Sequence, residues 1–206
     1  MEEFEALRFL RADNITPQQV QALNTIRRAM DAPANGTELV KVIDQDIARN
    51  MLRDGNPNMG GFFLTRTELG DVRTSQDAID ALRLDYPNST FAADRPHVII
   101  ETQMTSRMKD RTAIPRSEGY ANGDPLEVRY DGEYPYTGNG MIASRDGRLR
   151  PEWRLREATE MAPDTSVMRF RNPDGTPLRV SIGSSSASDW RLVQVGEADF
   201  DWIPIP

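Results

Sequence analysis

Cysteine is absent from this 206-residue chain, and histidine occurs once, as His97. The lack of thiols excludes disulfides, thiolate metal sites and cysteine nucleophiles, and it leaves the redox compartment open. A Ser-His-Asp triad would depend on His97, which begins an apolar stretch and has no Gly-x-Ser-x-Gly motif to accompany it. A zinc site with one imidazole and no thiolate is uncommon. We therefore expect no metal, and a structural role for His97.

Long apolar runs are also missing. No stretch approaches the roughly 18 consecutive apolar residues of a membrane span. The first residues, MEEFEALRFLRADN, carry acidic side chains where a signal peptide carries basic ones. These features predict a soluble protein without a membrane partner, either cytoplasmic or secreted without a cleaved signal peptide.

Lysine is nearly absent, because Lys41 and Lys109 are the only two, so almost all positive charge is arginine. The net charge is −7 and the pI is near 4.9. Tight non-specific binding to nucleic acid depends on releasing counterions from phosphates, so a nucleic-acid partner is not expected. Neither a G-x-G-x-x-G loop nor a Walker P-loop is present. The remaining chemistry is that of Arg, Glu, Tyr and hydroxyl groups.

The order of the expected elements favours an α+β fold. Helical periodicity predicts helices at 17–30, around Ile47 and Met51, and at 75–84, the last capped by Ser75. Alternating or continuous apolar residues predict strands at TELVKVID, GGFFLTRTE, HVIIETQM, LEVRY, EWRL, VMRFR, PLRVSIG and WRLVQVG. Helices come early and strands late, without the regular βαβ alternation of a doubly wound sheet.

The domain boundary is predicted at the turn from Pro33 to Gly36. Residues 1–36 are interpreted as an amino-terminal helical extension, and residues 37–206 as one α+β domain.

One segment, GEYPYTGNGMIASRDGRLRPEWRL at 132–155, is rich in aromatic, turn-forming and basic residues and poor in aliphatic ones. It reads either as a long hairpin or as one wall of a site. Within it, residues 141–151 hold several charged residues and few apolar anchors, which predicts an exposed, mobile loop.

Five short motifs occur in an order that resembles the ADP-ribosyltransferase-like toxin domains of bacterial polymorphic toxins and of proteins fused to phage head proteins. They are TELVKVI after Gly36, NMGGFFLTR from Asn58, LRLDY at 82–86, YPYTGNGM from Tyr134 and RPEWRL from Arg150. The resemblance covers about residues 37 to 170. It implies two small facing β-sheets that form an NAD-binding cleft, with the early helices packed outside.

The resemblance also implies an activity and a set of catalytic residues. The family cleaves NAD between nicotinamide and ribose, with an Arg on an early strand, a hydroxyl residue on a central strand and a Glu on a later one. Arg66, Thr137 and Glu152 follow that order here. A guanidinium can clamp phosphate or ribose, and a carboxylate can stabilise the oxocarbenium that develops on the sugar. NAD is then a substrate, and no metal is needed.

The Thr-Gly-Asn-Gly turn and its tyrosines are the expected binding elements for NAD. Tyr134 or Tyr136 would stack on nicotinamide, while Gly138 and Asn139 would present backbone N–H groups to polar ligand atoms. Each assignment has a structural alternative: Arg66 as a surface charge, the turn as a simple hairpin turn, the tyrosines as packing residues and Glu152 as a solvated strand start.

Arg150 departs from the pattern of family members that modify arginine, which carry a second Glu two positions before the catalytic one. The acceptor is therefore open between another protein side chain, nucleic acid and water, and a cognate immunity protein is a possible partner. Glu101 and Gln103 form a rival acid-containing group. Two further functions stay open: an acidic immunity or virion-associated binding module, and a metal-independent ribonuclease toxin using His97.

Overall fold

The computed structural model describes residues 16–19, 25, 29–85, 89–114 and 140–206. The helices in these ranges are α1 (Gln45–Arg53), α2 (Arg66–Leu69), α3 (Ser75–Leu82) and α4 (Ser106–Arg111). The strands are β1 (Glu38–Asp44), β2 (Asn58–Thr65), β3 (His97–Gln103), β4 (Thr112–Ala113), β5 (Met141–Ala143), β6 (Leu149–Pro151), β7 (Trp153–Glu160), β8 (Val167–Arg171), β9 (Val180–Ile182), β10 (Ser185–Ala187), β11 (Asp189–Gln194) and β12 (Phe200–Ile205).

Eight strands form one sheet in the order β12-β11-β8-β3-β1-β2-β7-β4, and β5–β6 and β9–β10 form two separate hairpins. All of these neighbouring strands pair antiparallel. The predicted mixed α and β class, without a doubly wound parallel sheet, is confirmed for the part of the chain that the structure describes. The β1–β2 junction is short, with only Leu39 opposite Thr65 and Val40 opposite Leu64, and it separates five strands on one side from three on the other.

Successive residues of β1 face opposite sides of this sheet, as the period of a strand requires. Leu39 lies in the larger core, together with Phe63, Phe170 and Trp190, all 2 % exposed or less. Val40 lies in a second apolar cluster on the opposite face, where apolar residues of α2 and α3 and of the β5–β6 hairpin pack. The sheet is therefore covered on both faces, and α3 lies against it as expected.

Thr74, not Ser75, is the N-cap of α3. Its hydroxyl accepts from the Asp77 backbone N–H at 3.0 Å, and the Asp77 carboxylate accepts from the Thr74 N–H at 2.9 Å, which completes a capping box. Ser75 is the first helical residue, and its hydroxyl donates to the Arg95 carbonyl at 2.6 Å. The predicted helix is present, but its N-cap is Thr74, one residue earlier than predicted. The reason is that Thr74 and Asp77 each accept a hydrogen bond from the backbone N–H of the other.

The predicted exposed loop at 141–151 is wrong as a whole, because β5 and β6 form a β-hairpin there. Ile142, Ser144 and Arg150 are each 2 % exposed or less, and only the turn between the strands carries exposed charges. Arg150 can be buried because its Nε donates to the Glu68 carbonyl at 2.9 Å. Polar composition alone did not reveal that Ile142, Ser144 and Arg150 pack inward.

The sequence analysis predicted neither helix nor strand for α4, β4, β10 and β12, and it wrongly extended the strand GGFFLTRTE over residues 66–68, which belong to α2. The predicted strand LEVRY at 126–130 lies outside the described residues, as does most of the predicted helix at 17–30, of which residues 17–19 and 25 are helical and residues 29–30 are not. Among the residues that the structure describes, no helix combines the length and the apolar character needed to span a membrane.

Candidate functional site

A polar groove of about 330 Å³ crosses the ends of three neighbouring strands, β1, β3 and β8. Val40 pairs with Glu101, and Glu101 pairs with Val167, so these side chains share one face of the sheet. Leu39, Val40 and Val167 are its apolar lining residues, and the polar ones are Glu38, Arg66, Glu101, Thr102, Gln103, Thr165 and Arg169. The groove is therefore lined by two cations, two carboxylates, an amide and two threonines, a set suited to a polar, charged ligand.

Arg66 enters the groove from the first position of α2, directly after β2. The Thr65 hydroxyl accepts from the Glu68 N–H at 3.3 Å, so a side-chain cap ends the strand and starts the helix at this point. Within the described part of the chain, Nη1 of Arg66 is buried and has no hydrogen-bond partner. Buried donors in proteins are nearly always paired, and a guanidinium prefers carboxylate or phosphate oxygens. Arg66 therefore offers a donor to an anionic ligand.

Glu101 belongs to a ladder of ion pairs that extends away from the groove. Arg169 donates to Glu101 at 2.8 Å and to Asp189 at 2.7 Å, and Arg171 donates to Asp189 at 2.8 Å. Burial opposes ionisation of Asp189, but the hydrogen bonds and charges of Arg171 and Arg169 together outweigh it, so the pKa of Asp189 is lowered. The charge of Arg169 is thus shared by two carboxylates, which leaves Arg66 as the cation of the groove without an ion pair among the described residues.

Glu152 lies between β6 and β7 and is 5 % exposed, so it is not a solvated strand start. Its backbone N–H donates to the carbonyl of Gly140, the last residue of the Thr-Gly-Asn-Gly turn, at 3.0 Å. The end of the Thr-Gly-Asn-Gly turn and the predicted catalytic acid are therefore next to each other in the structure. Glu152 does not line the groove that holds Arg66.

Lys41 is a buried charged residue of β1, which β2 separates from β7 and Glu152. Its Nζ donates to the carbonyl oxygens of Gly60 at 2.6 Å and Phe62 at 3.1 Å. Burial lowers the pKa of Lys41 to about 8, and the negative charge of Glu152 acts in the opposite direction. The ammonium group of Lys41 is therefore held in the interior by two backbone carbonyl groups of β2.

Trp153 and Arg150, the neighbours of Glu152, have structural partners. The Trp153 indole N–H donates to the Asp31 carbonyl at 3.1 Å, and its ring stacks on Phe63 with centroids 6.2 Å apart. Trp153 therefore belongs to the core and does not form a pocket wall. Arg150 donates to both oxygens of Asp146, at 2.8 and 2.6 Å, and this hydrogen bonding lowers the pKa of Asp146. The side chain two positions before Glu152 is thus committed to a salt bridge.

His97 is 1 % exposed and contacts Ser75, with 2.9 Å between Nδ1 and Oγ. The Ser75 hydroxyl proton is directed at the Arg95 carbonyl, so Nδ1 is the donor in this contact. Burial and the positive charge of Arg171 lower the pKa of His97, so its imidazole is neutral at pH 7. A serine whose proton points away from the imidazole is not an activated nucleophile, and a buried imidazole does not suit a ribonuclease. The expected structural role of His97 fits this geometry.

The structure describes two of the three predicted catalytic residues, Arg66 in the groove and Glu152 at the strand junction. Thr137 lies outside the described residues. So do the predicted NAD-binding residues, Tyr134, Tyr136, Gly138 and Asn139. In the described ranges, no group of three or more His, Asp and Glu side chains is placed to hold a metal ion.

Three groove residues and Lys41 escaped the sequence reasoning. Glu38, Thr165 and Arg169 come from separate elements, and no local motif links them. The alternation of β3 did carry a signal, because Glu101 and Gln103 had to share a face, and both face the groove. Lys41 is a charged residue inside the otherwise apolar strand TELVKVID, which is a recognisable exception to burial rules.

No protein-family model matches the chain, and comparisons with curated proteins and with solved structures give no significant match. The chemistry of the site's own residues is therefore the basis for any function.

Proposed function

We propose that this protein is a toxin-like enzyme that cleaves NAD between nicotinamide and ribose and transfers ADP-ribose to a protein, a nucleic acid or water. The observation that carries the proposal is the guanidinium of Arg66, whose Nη1 is buried without a partner among the described residues in a groove with carboxylate, amide and hydroxyl groups. Such a donor fits the diphosphate of NAD.

The groove suits part of a dinucleotide. Its volume of about 330 Å³ is near the lower end of small-ligand sites. Arg66 would donate to a phosphate oxygen, and Glu38, Glu101 and Gln103 would accept from ribose hydroxyls. The five-stranded and three-stranded parts of the sheet, on either side of the β1–β2 junction, would form the two walls of the cleft.

Glu152 would stabilise the positive charge that develops during cleavage. The bond from C1′ of ribose to the nicotinamide nitrogen breaks, and its electron pair leaves with nicotinamide, which becomes neutral. The oxocarbenium then takes an oxygen or nitrogen nucleophile from the acceptor or from water, and that nucleophile loses a proton. A carboxylate enclosed at low dielectric stabilises such a cation more than one in water does.

Arg66→Gln is expected to weaken NAD binding at least about tenfold, because one charge-assisted hydrogen bond to phosphate contributes about 1.5–3 kcal/mol. Titration calorimetry with NAD, together with the KM for nicotinamide release, measures the effect. Arg107→Gln is the matched control, because Arg107 is exposed on α4 and does not line the groove. Equal NAD affinity in the two variants would show that Arg66 does not hold the ligand.

A non-enzymatic module that binds an anionic ligand is the second candidate. The observation in its favour concerns the two acids considered for catalysis: Glu101 is paired with Arg169, and Glu152 is only 5 % exposed. Calorimetry and nicotinamide release separate the two candidates. Binding of NAD by the parent protein without any release of nicotinamide, with protein and nucleic-acid acceptors present, favours the module.

A further inference from the structure

The ion pairs beside the groove form a continuous ladder across three strands, made of Glu101 on β3, Arg169 and Arg171 on β8 and Asp189 on β11. In the strand register, Asp189 pairs with Arg169. Arg169 in turn pairs with Ile99, two residues before Glu101. Side chains two residues apart on a strand face the same side, so the ladder lies on the face of the sheet that carries the groove.

Arg169 holds the carboxylate of Glu101 within this ladder. Its Nε donates to Oε2 of Glu101 at 2.8 Å, and its Nη1 donates to Oδ2 of Asp189 at 2.7 Å. One planar guanidinium thus binds two carboxylates on different strands, and its rigid fork fixes the direction of both bonds. Burial disfavours the charge of Arg169, but the hydrogen bonds and charges of the two carboxylates together raise its pKa.

Asp189 and Arg171 anchor the ladder at its more buried end. Their side chains are 20 % and 17 % exposed, against 35 % for Arg169. Nη1 of Arg171 donates to Oδ1 of Asp189 and to the carbonyl of Phe170, both at 2.8 Å. The end of the ladder that lies away from the groove is therefore attached to the backbone of β8.

The ladder has a consequence for Arg66, which lines the same groove as Glu101. Opposite charges in one groove attract each other, so a Glu101 side chain that Arg169 did not hold would compete with a ligand anion for the Arg66 guanidinium. In the structure, Nη1 of Arg66 has no partner among the described residues. Within the same ranges, Oε1 of Glu101 receives no hydrogen bond and can accept one from a ligand hydroxyl.

We propose that the groove is a sugar-phosphate site in which Arg66 binds the phosphate, Glu101 binds a sugar hydroxyl and Arg169 is the positioning residue that keeps these two side chains apart. A sugar phosphate satisfies both side chains, whereas a free anion or an uncharged sugar satisfies only one. The inference deepens the proposed function and rests on it where NAD is concerned, since NAD contains two ribose phosphates.

The first test measures binding alone and uses inorganic phosphate and ribose 5-phosphate as probes in titration calorimetry. The parent should bind ribose 5-phosphate at least about tenfold more tightly than phosphate, because Glu101 adds a charge-assisted hydrogen bond. Glu101→Gln should remove most of this advantage, since a neutral amide accepts a weaker hydrogen bond, and should leave phosphate binding as tight as in the parent. Equal affinities of the parent for the two probes would overturn the proposal.

A double-mutant cycle separates positioning by Arg169 from direct contact with the ligand. Arg169→Met should weaken phosphate binding at least about fivefold, because the released Glu101 competes for Arg66. In the Glu101→Gln background, the same substitution should change phosphate affinity by less than about twofold, because no carboxylate remains to compete. An equal loss in both backgrounds, at about 0.15 M salt to screen distant charges, would show that Arg169 does not act through Glu101.

Two further variants control for loss of charge and for folding. Arg107→Met removes an exposed arginine of α4 that does not line the groove, and it should bind both probes as the parent does. Arg169→Gln keeps a hydrogen-bond donor and covers the case in which Arg169→Met does not fold. It should weaken phosphate binding in the same direction by a smaller factor, and an affinity equal to that of the parent would contradict the positioning role.

Competition with NAD distinguishes failure of this inference from failure of the proposed function. Ribose 5-phosphate should inhibit nicotinamide release competitively, and Arg169→Met should raise the KM for NAD more than it lowers kcat. A parent that binds ribose 5-phosphate as expected but releases no nicotinamide refutes the proposed function and leaves the sugar-phosphate site in place. Nicotinamide release that saturating ribose 5-phosphate does not inhibit would show that this groove does not hold a ribose phosphate of NAD.

Discussion

Glu152→Gln should reduce the rate of nicotinamide release by about two to three orders of magnitude, the loss expected when a preorganised electrostatic partner is removed. Gln keeps the size and one acceptor of the side chain but removes the negative charge that stabilises the oxocarbenium. The burial of Glu152 at 5 % exposure strengthens this expectation, because a charge acts more strongly where water is excluded. The measurement is nicotinamide release by parent and variant at matched concentrations of folded protein.

The same burial means that Glu152→Gln also affects stability, because the interactions that hold a buried carboxylate are not all kept by an amide. The control is Leu192→Ala, a substitution in β11 at a residue with 0 % exposure that does not line the groove. It should lower the free energy of unfolding by about 2–5 kcal/mol while the folded fraction keeps the parent rate. If Glu152→Gln releases nicotinamide as fast as the parent, Glu152 is not the catalytic carboxylate, and Glu101 becomes the acid to test.

Phe63→Ala is expected to lower the free energy of unfolding by about 3–5 kcal/mol, the largest stability effect that we predict. Phe63 has 0 % exposure, lies in the larger core and stacks on Trp153 with an interplanar angle of 27°. Its removal leaves a cavity at the β2–β7 pairing, and Trp153 on the other strand is the residue next to Glu152. The expected loss is a substantial part of the roughly 5–15 kcal/mol that stabilises a typical domain.

Urea denaturation followed by tryptophan fluorescence measures this change, with Ile47→Ala as the control. Ile47 is an apolar residue of α1 with 55 % exposure, so its truncation should change the free energy of unfolding by less than about 0.5 kcal/mol. Similar midpoints for the two variants would mean that the Phe63–Trp153 contact does not hold the β2–β7 pairing together.

The sequence was a good guide to individual strands and helices, since alternation and turn residues are local properties. TELVKVID, HVIIETQM and VMRFR correspond to β1, β3 and β8, and the predicted helices around Ile47 and at 75–84 correspond to α1 and α3. Prediction was least accurate for the segment at 141–151. The exposed charged residues of its turn suggested a loop throughout. The segment is instead a hairpin with inward side chains, among them Arg150, which donates to a carbonyl of α2 and to Asp146 in the turn.

For the candidate site, the residue types determined which chemistry is available, and the fold determined which side chains lie next to each other. The chain has no cysteine, one histidine, which is buried, and two lysines. The functional groups that remain for a site are therefore those of Arg, Glu and the hydroxyl residues. Only the tertiary structure decided that Arg66 shares a groove with Glu101 and that Glu152 is buried outside that groove. The physical reason is that an antiparallel sheet places β1 between β2 and β3, so the neighbours of a side chain come from strands tens of residues apart, and no local pattern in the sequence records that register.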